Sequence, residues 1–188
     1  MTTRGILAWF EETCKNPSNK ITLLEWFEKI CETPSDNNEH CPTLRALAEE
    51  CDHITEFGVM FGKSTVSFLM ARPDALVSYD IKKQEIVGFI EELAAKEQIN
   101  FVFKLEDSRT TTIDETDLLY IDTDHTYEQL RTELFRHGDK ARKYIILHDT
   151  DACPEMWPAV EEFVGQGSFR IKERRTNNYG LTILERVS

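Results

Sequence analysis

The sequence has 188 residues, enough for one domain with a sizeable core and too few for two full domains. Its 34 acidic and 22 basic residues give a net charge of -12, which repels a phosphate backbone and argues against nucleic acid as a partner. No apolar run approaches the roughly 18 residues of a membrane span, so we expect a soluble, cytoplasmic protein with a small-molecule partner.

The first 52 residues carry a repeated helical pattern. Trp9-Phe10-Glu11 with Cys14 recurs as Trp26-Phe27-Glu28 with Cys31, and each copy precedes a proline. Apolar residues at positions i, i+4 and i+8 predict two amphipathic helices. A third helix is predicted at Thr43–Cys51. We interpret residues 1–52 as a helical extension or lid on a core of residues 53–188, within one domain.

The five cysteines are odd in number and contain no C-x-x-C pair, which argues against a disulfide scaffold. His40, Cys41, Cys51 and His53 lie close in sequence, but their spacing matches no known zinc module. We expect reduced, packed cysteines.

The segment after the first predicted strand is a glycine-rich turn before a helix. A dinucleotide fingerprint is a poor match, because only Gly58 and Gly62 are present. A nucleotide-triphosphate loop would use Gly62-Lys63-Ser64, but phenylalanine occupies the position of its first glycine. The pattern acidic-x-Gly-x-x-x-Gly-x-Ser fits Glu56, Gly58, Gly62 and Ser64 without adjustment. It resembles motif I of the class I S-adenosylmethionine-dependent methyltransferases. Strand-turn-helix junctions also carry glycine where no ligand binds.

From His53 onward, predicted strands and helices alternate. The strands are His53–Phe57, Ala75–Tyr79, Asn100–Leu105, Asp117–Ile121 and Lys143–Leu147. The helices are Ser64–Ala71, Lys82–Glu97, His125–Ala141 and Met156–Val164. Phe169–Glu173 and Leu181–Glu185 flank a turn and predict an antiparallel hairpin. We therefore predict an α/β fold: a doubly wound, Rossmann-like, mostly parallel seven-stranded sheet with a terminal antiparallel hairpin.

Polar residues follow the second and third strands. The methyltransferase resemblance implies that Asp80 accepts the ribose hydroxyls of an adenosine and that Asp107 and Ser108 lie where the family contacts adenine. Acids at strand ends also serve simply as turn or cap residues.

Two segments are the most specific. Ile121-Asp122-Thr123-Asp124-His125-Thr126-Tyr127 and His148-Asp149-Thr150 resemble the I-D-G-x-H-x-Y and H-D-T signatures of a family of small-molecule O-methyltransferases and cephalosporin-hydroxylase-like enzymes. Thr123 replaces the glycine of that family. The resemblance implies that Asp122 and Asp149 bind a divalent metal such as Mg²⁺ and that His125 is a general base. Asp124 is expected to cap the helix beginning at His125.

Together these resemblances imply a methyltransferase that uses S-adenosylmethionine to methylate an oxygen of a small molecule, such as a sugar or glycan precursor. The predicted donor-binding residues are Glu56, Gly58, Gly62, Ser64, Asp80, Asp107 and Ser108. A nucleotide triphosphatase or kinase and a non-catalytic donor-binding scaffold are the alternatives. The oligomeric state is left open, with a homo-oligomer as one alternative.

Overall fold

The fold is one seven-stranded sheet covered on both faces by helices. A computed structural model describes residues 21–187 of the chain. Its strands are β1 (His53–Phe57), β2 (Ala75–Asp80), β3 (Phe101–Leu105), β4 (Thr116–Ile121), β5 (Ala141–His148), β6 (Phe169–Arg175) and β7 (Leu181–Arg186). They lie in the order β3-β2-β1-β4-β5-β7-β6. The first five are parallel, and β7 lies antiparallel between β5 and β6. The predicted fold class is confirmed.

The helices divide between two apolar cores, one on each face of the sheet. They are α1 (Leu23–Glu32), α2 (Cys41–Ala48), α3 (Lys63–Met70), α4 (Glu85–Lys96), α5 (Tyr127–His137) and α6 (Trp157–Val164). The first four contribute to one core, which includes Trp26 and Ile90. The last two contribute to the other, which includes Leu134 and Phe163. Both faces of the central parallel strands are therefore buried, as their continuous apolar sequences require. The edge strand β3 leaves Val102 and Leu105 exposed. Within residues 21–187, no helix is long and apolar enough to cross a membrane.

The second copy of the repeated helix is α1. Thr22 caps it: the Thr22 hydroxyl accepts from the Glu25 amide, and the Glu25 carboxylate accepts from the Thr22 amide. Trp26 and Ile30 are fully buried on its inner face. The first copy, around Trp9, lies outside the described residues.

The bounds of α5 differ from the prediction because of a cap at its start and a 3₁₀ turn at its end. α5 begins at Tyr127 rather than His125, since the Thr126 hydroxyl accepts from the Gln129 amide. The prediction that Asp124 caps this helix is therefore wrong. α5 also ends at His137, because Gly138–Lys140 form a 3₁₀ turn and residue 141 already opens β5.

The cysteines of the described region are free. The Cys41 thiol donates to the Asn37 carbonyl and the Cys51 thiol to the Leu47 carbonyl, each four residues earlier in the chain. Both thiols are buried in the core beside α2, whereas Cys31 and Cys153 are half-buried. Packing of the cysteines is therefore seen at Cys41 and Cys51, and the reduced state stays a prediction.

Candidate functional site

The loop after β1 passes very close to the end of β4. Gly58 has a φ of 87°, and a Cβ there would collide with the carbonyl oxygen of Asp122. Gly62 has a φ of 72° and is the N-cap of α3. These two glycines are therefore required by backbone conformation, and Gly58 also by close packing.

Asp80 anchors this loop from the end of β2. Its Oδ2 accepts from the amides of Val59 at 2.9 Å and Met60 at 3.1 Å, and its Oδ1 accepts from the Lys82 amide at 2.9 Å. A carboxylate has lone pairs beyond these three, so Asp80 retains acceptor capacity toward a ligand.

Glu56 and Ser64 lie behind the loop, in the protein interior. Glu56 is fully buried and accepts hydrogen bonds from the hydroxyls of Ser64 at 2.6 Å, Thr65 at 2.8 Å and Ser78 at 2.5 Å. Burial raises the pKa of Glu56 to about 7, against the lowering effect of these hydroxyls. Glu56 and Ser64, both predicted to bind the donor, thus support the loop from the protein interior and form a hydrogen bond with each other.

An open cleft of about 500 Å³ lies at the carboxyl ends of the parallel strands. This volume falls within the range of about 300–1,000 Å³ that small-molecule sites occupy. Five of the residues predicted to bind the donor or a metal line the cleft: Gly58, Asp80, Asp107, Ser108 and Asp122. The cleft therefore lies where the strand order reverses, between β1 and β4.

Asp107 and Ser108 form the wall of this cleft beyond β3. Asp107 makes a bidentate contact with Arg109, and hydrogen bonds from Arg109 lower the pKa of its carboxyl. The Ser108 hydroxyl donates to Glu133 at 2.5 Å. Glu133 also accepts from Gln129 and from Thr123, the threonine that replaces the glycine of the signature. Burial raises the pKa of Glu133. Sequence reasoning missed Glu133, since it lies mid-helix and carries no motif.

Asp122, His125 and Asp149 converge beside the cleft. His125 Nε2 lies 3.3 Å from Asp122 Oδ1 and 2.8 Å from Asp149 Oδ2. Contacts with Asp122 and Asp149 raise the pKa of His125 to about 10. Burial raises the pKa of both carboxyls, but the neighbouring histidines outweigh it, and the net shift is downward. The three residues implied by the signatures are therefore one electrostatic unit.

His148 is a fourth member of this cluster. It lies in the H-D-T segment of the sequence, but no role was predicted for it. It ends β5, with Nδ1 at 3.1 Å from Asp149 Oδ1 and 3.6 Å from Asp122 Oδ2. Burial lowers the pKa of His148, but the two carboxylates outweigh it and raise the pKa. Asp149, which directly follows His148, has a φ of 59°. This left-handed backbone conformation turns the chain sharply at the end of β5.

Lys63, the lysine of the nucleotide-triphosphate interpretation, does not reach the cleft. Its side chain is buried, and its amine pairs with Asp36 in the connector between α1 and α2. It is therefore engaged on the side of the loop that faces the N-terminal helices.

The chain matches solved structures in fold, although no protein-family profile and no curated protein matches it in sequence. A Corynebacterium glutamicum protein has a TM-score of 0.70 at 12% identity, covering 97% of both chains. A Staphylococcus aureus protein assigned as a caffeoyl-CoA O-methyltransferase has a TM-score of 0.66 at 11% identity, covering 98% of this chain and 99% of that one. Methyltransferase PaMTH1 of Podospora anserina, bound to S-adenosylhomocysteine, has a TM-score of 0.62 at 13% identity, covering 97% and 95%. The chain thus has the fold of the class I methyltransferases.

Proposed function

We propose that this protein transfers a methyl group from S-adenosylmethionine to an oxygen of a small molecule, such as a sugar or glycan precursor. One observation carries the proposal. The cleft at the strand ends brings the glycine loop and Asp80 together with Asp122, and Asp122 contacts His125, which also contacts Asp149. The proposed donor site and the proposed proton-transfer site therefore adjoin in a methyltransferase fold.

The charge of the cleft favours this donor over a nucleotide triphosphate. Its lining contains five acids and two basic residues: Asp80, Glu106, Asp107, Asp122, Asp124, Lys82 and Arg109. Such a surface attracts a cationic sulfonium and repels a triphosphate. Lys63, which a triphosphate loop would need, pairs with Asp36 instead. Both facts weigh against a nucleotide triphosphatase or kinase.

In the proposed reaction each group has a defined task. The backbone at Gly58 and the Asp80 carboxylate orient the donor, and Asp107 and Ser108 border its adenine. The methyl group leaves the sulfonium for the acceptor oxygen, whose proton passes to His125 Nε2. Asp122 and Asp149 would hold a divalent cation, and the unpaired buried Oδ1 of Asp149 fits that role. When bound, such a cation lowers the pKa of an acceptor hydroxyl and opposes protonation of His125.

Calorimetry followed by turnover assays tests the proposal. We expect the full chain to bind S-adenosylhomocysteine and not ATP with Mg²⁺, and to pass an isotope-labelled methyl group to a member of a hydroxyl-bearing acceptor panel. His125→Ala should lower turnover by about 10²- to 10⁴-fold with donor affinity unchanged. His53→Ala, at the opposite end of β1, is the matched control. Binding of ATP alone would overturn the proposal, and donor binding without transfer to any acceptor would indicate a scaffold.

A further inference from the structure

Three side chains of the cluster are spaced as ligands of one ion. Within residues 21–187, Asp122, His148 and Asp149 are the one group of three whose potential ligand atoms all lie within 4.8 Å of one another. His148 Nδ1 is 3.1 Å from Asp149 Oδ1 and 3.6 Å from Asp122 Oδ2. Two ligands at about 2.1 Å from an ion, with bond angles of about 90–109°, are about 3.0–3.4 Å apart. The observed separations are close to this range.

Two of these three atoms lack hydrogen-bond partners, whereas Asp122 Oδ2 accepts from the Tyr120 hydroxyl at 3.1 Å. His148 is 1% exposed, yet both of its ring nitrogens are buried without a hydrogen bond, as is Oδ1 of Asp149. His148 Nδ1 and Asp149 Oδ1 are close, but their alignment is not that of a hydrogen bond. Unpaired buried polar atoms are costly. A cation between His148 Nδ1 and Asp149 Oδ1 would accept a lone pair from each atom.

The ring of His40 packs against the ring of His148. His40 Nε2 is 3.0 Å from the Asn177 carbonyl oxygen and 3.2 Å from that of Asn178, so Nε2 carries the hydrogen. Nδ1 of His40 is then an acceptor in the neutral ring, and it is buried without a partner. The rings of His40 and His148 meet edge to face, with centroids 5.5 Å apart. No hydrogen bond joins the two rings, so His40 supports His148 through this packing contact.

We propose that Asp122, His148 and Asp149 bind a divalent transition-metal ion, of the series from Mn²⁺ to Zn²⁺, in preference to Mg²⁺. Magnesium prefers oxygen ligands and keeps several waters, whereas imidazole is a ligand of transition metals. A buried imidazole facing two carboxylates therefore changes the preference that two carboxylates alone would give. Metal binding by these three residues is independent of the proposed function. Only a catalytic role for the bound ion rests on that function.

Metal binding is measured on the full chain after chelator treatment, without donor or acceptor. We expect Zn²⁺ to bind about 100-fold more tightly than Mg²⁺, with Mn²⁺ between them. His148→Gln should weaken Zn²⁺ binding by about 10- to 100-fold and leave Mg²⁺ affinity within about threefold. Electron spin echo modulation from an imidazole nitrogen should accompany bound Mn²⁺ and disappear in this variant.

Two further variants guard against a general loss of structure. His148→Glu restores an all-oxygen ligand set, so Mg²⁺ should gain affinity relative to Zn²⁺. His137→Gln removes another buried histidine, one that bonds to the Ser108 carbonyl, and should leave the metal preference unchanged. Equal affinity for Zn²⁺ and Mg²⁺, unchanged selectivity in His148→Gln, or no binding at millimolar metal would overturn the proposal. S-adenosylhomocysteine binding is measured separately. If the protein binds this ligand but not the metal, the metal proposal fails and the proposed function does not.

Discussion

Glu56 is a buried carboxyl group that supports, from the protein interior, the loop between β1 and α3. The other side of this loop faces the cleft. Three hydroxyls from α3 and β2 donate to it, so the start of the helix and the neighbouring strand are joined through a single side chain. Its pKa near 7, caused by burial, makes this junction sensitive to pH. The ordinary value of 4.5 applies in the unfolded chain.

We expect Glu56 to make stability depend on pH between about 4.5 and 7. In this window the folded state keeps a proton that the unfolded state releases, so the stabilisation is full below 4.5 and is lost as pH rises through 7. A shift of this size corresponds to about 3 kcal/mol. Urea unfolding of Glu56→Gln across this range, with chelator present, should show a shallower fall with pH. Glu128→Gln, an exposed change, should follow the unmodified protein.

Asp80 anchors the loop, and in the proposed function it also accepts from the donor. Asp80→Ala should weaken S-adenosylhomocysteine binding by about 1–3 kcal/mol, since the amides of Val59 and Met60 and the ribose hydroxyls lose a charged acceptor. Calorimetry on the folded variant measures this. Asp74→Ala, an exposed acid just before β2, is the control, and an unchanged affinity in Asp80→Ala would remove Asp80 from the donor site.

At the level of elements, the β1–α3 loop and the end of β4 share one close contact. Gly58→Ala should lower stability by more than about 2 kcal/mol, because the new methyl group meets the Asp122 carbonyl and φ is 87°. Gly88→Ala is the matched control. A Cβ at Gly88, inside α4, meets nothing within 4 Å, so this change should stabilise by about 0.5–1 kcal/mol. Chemical denaturation compares the two, and equal effects would contradict the contact.

The connector between α1 and α2 contacts α3 through Lys63. Lys63→Met should leave S-adenosylhomocysteine affinity unchanged while lowering thermal stability, because the amine pairs with Asp36 and faces away from the cleft. Asp36→Asn leaves the buried Lys63 ammonium without its carboxylate and should destabilise more, because an unpaired buried charge costs more than the half-exposed carboxylate that Lys63→Met leaves in solvent. Loss of ligand affinity in Lys63→Met would restore the nucleotide interpretation.

At the scale of the whole molecule, the alternation of predicted strands and helices was sufficient to predict the sheet. Parallel strands buried on both faces have continuous apolar sequences, and the Asn177–Gly180 turn separates the two runs of the hairpin. Helix ends were less accurate, since capping depends on which hydroxyl reaches an amide, as at Thr126. Asp122, His125 and Asp149 were brought together as the signatures implied. Their roles, and that of the donor residues, remain predictions.

The part of the site that the sequence did not predict depends on contacts distant in the chain. Nothing in the local sequence indicates that the Asn177 and Asn178 carbonyls fix the tautomer of His40, or that His40 then faces His148. The lack of partners for the ring nitrogens of His148 is likewise a property of packing. Patterns with a short period cannot report either feature.

The contacts of the β6–β7 turn with the connector before α2 determine when the site can form. His40 contacts carbonyls 137 and 138 residues away, and the Asn178 amide donates to Ser35 and Asn38 from 143 and 140 residues away. Closing such long loops is slow and entropically costly. During synthesis, His148 and Asp149 therefore leave the ribosome before their supporting histidine has its partners. A nascent chain that ends before residue 177 lacks the carbonyls that contact His40, so we expect the proposed metal capture to follow hairpin closure.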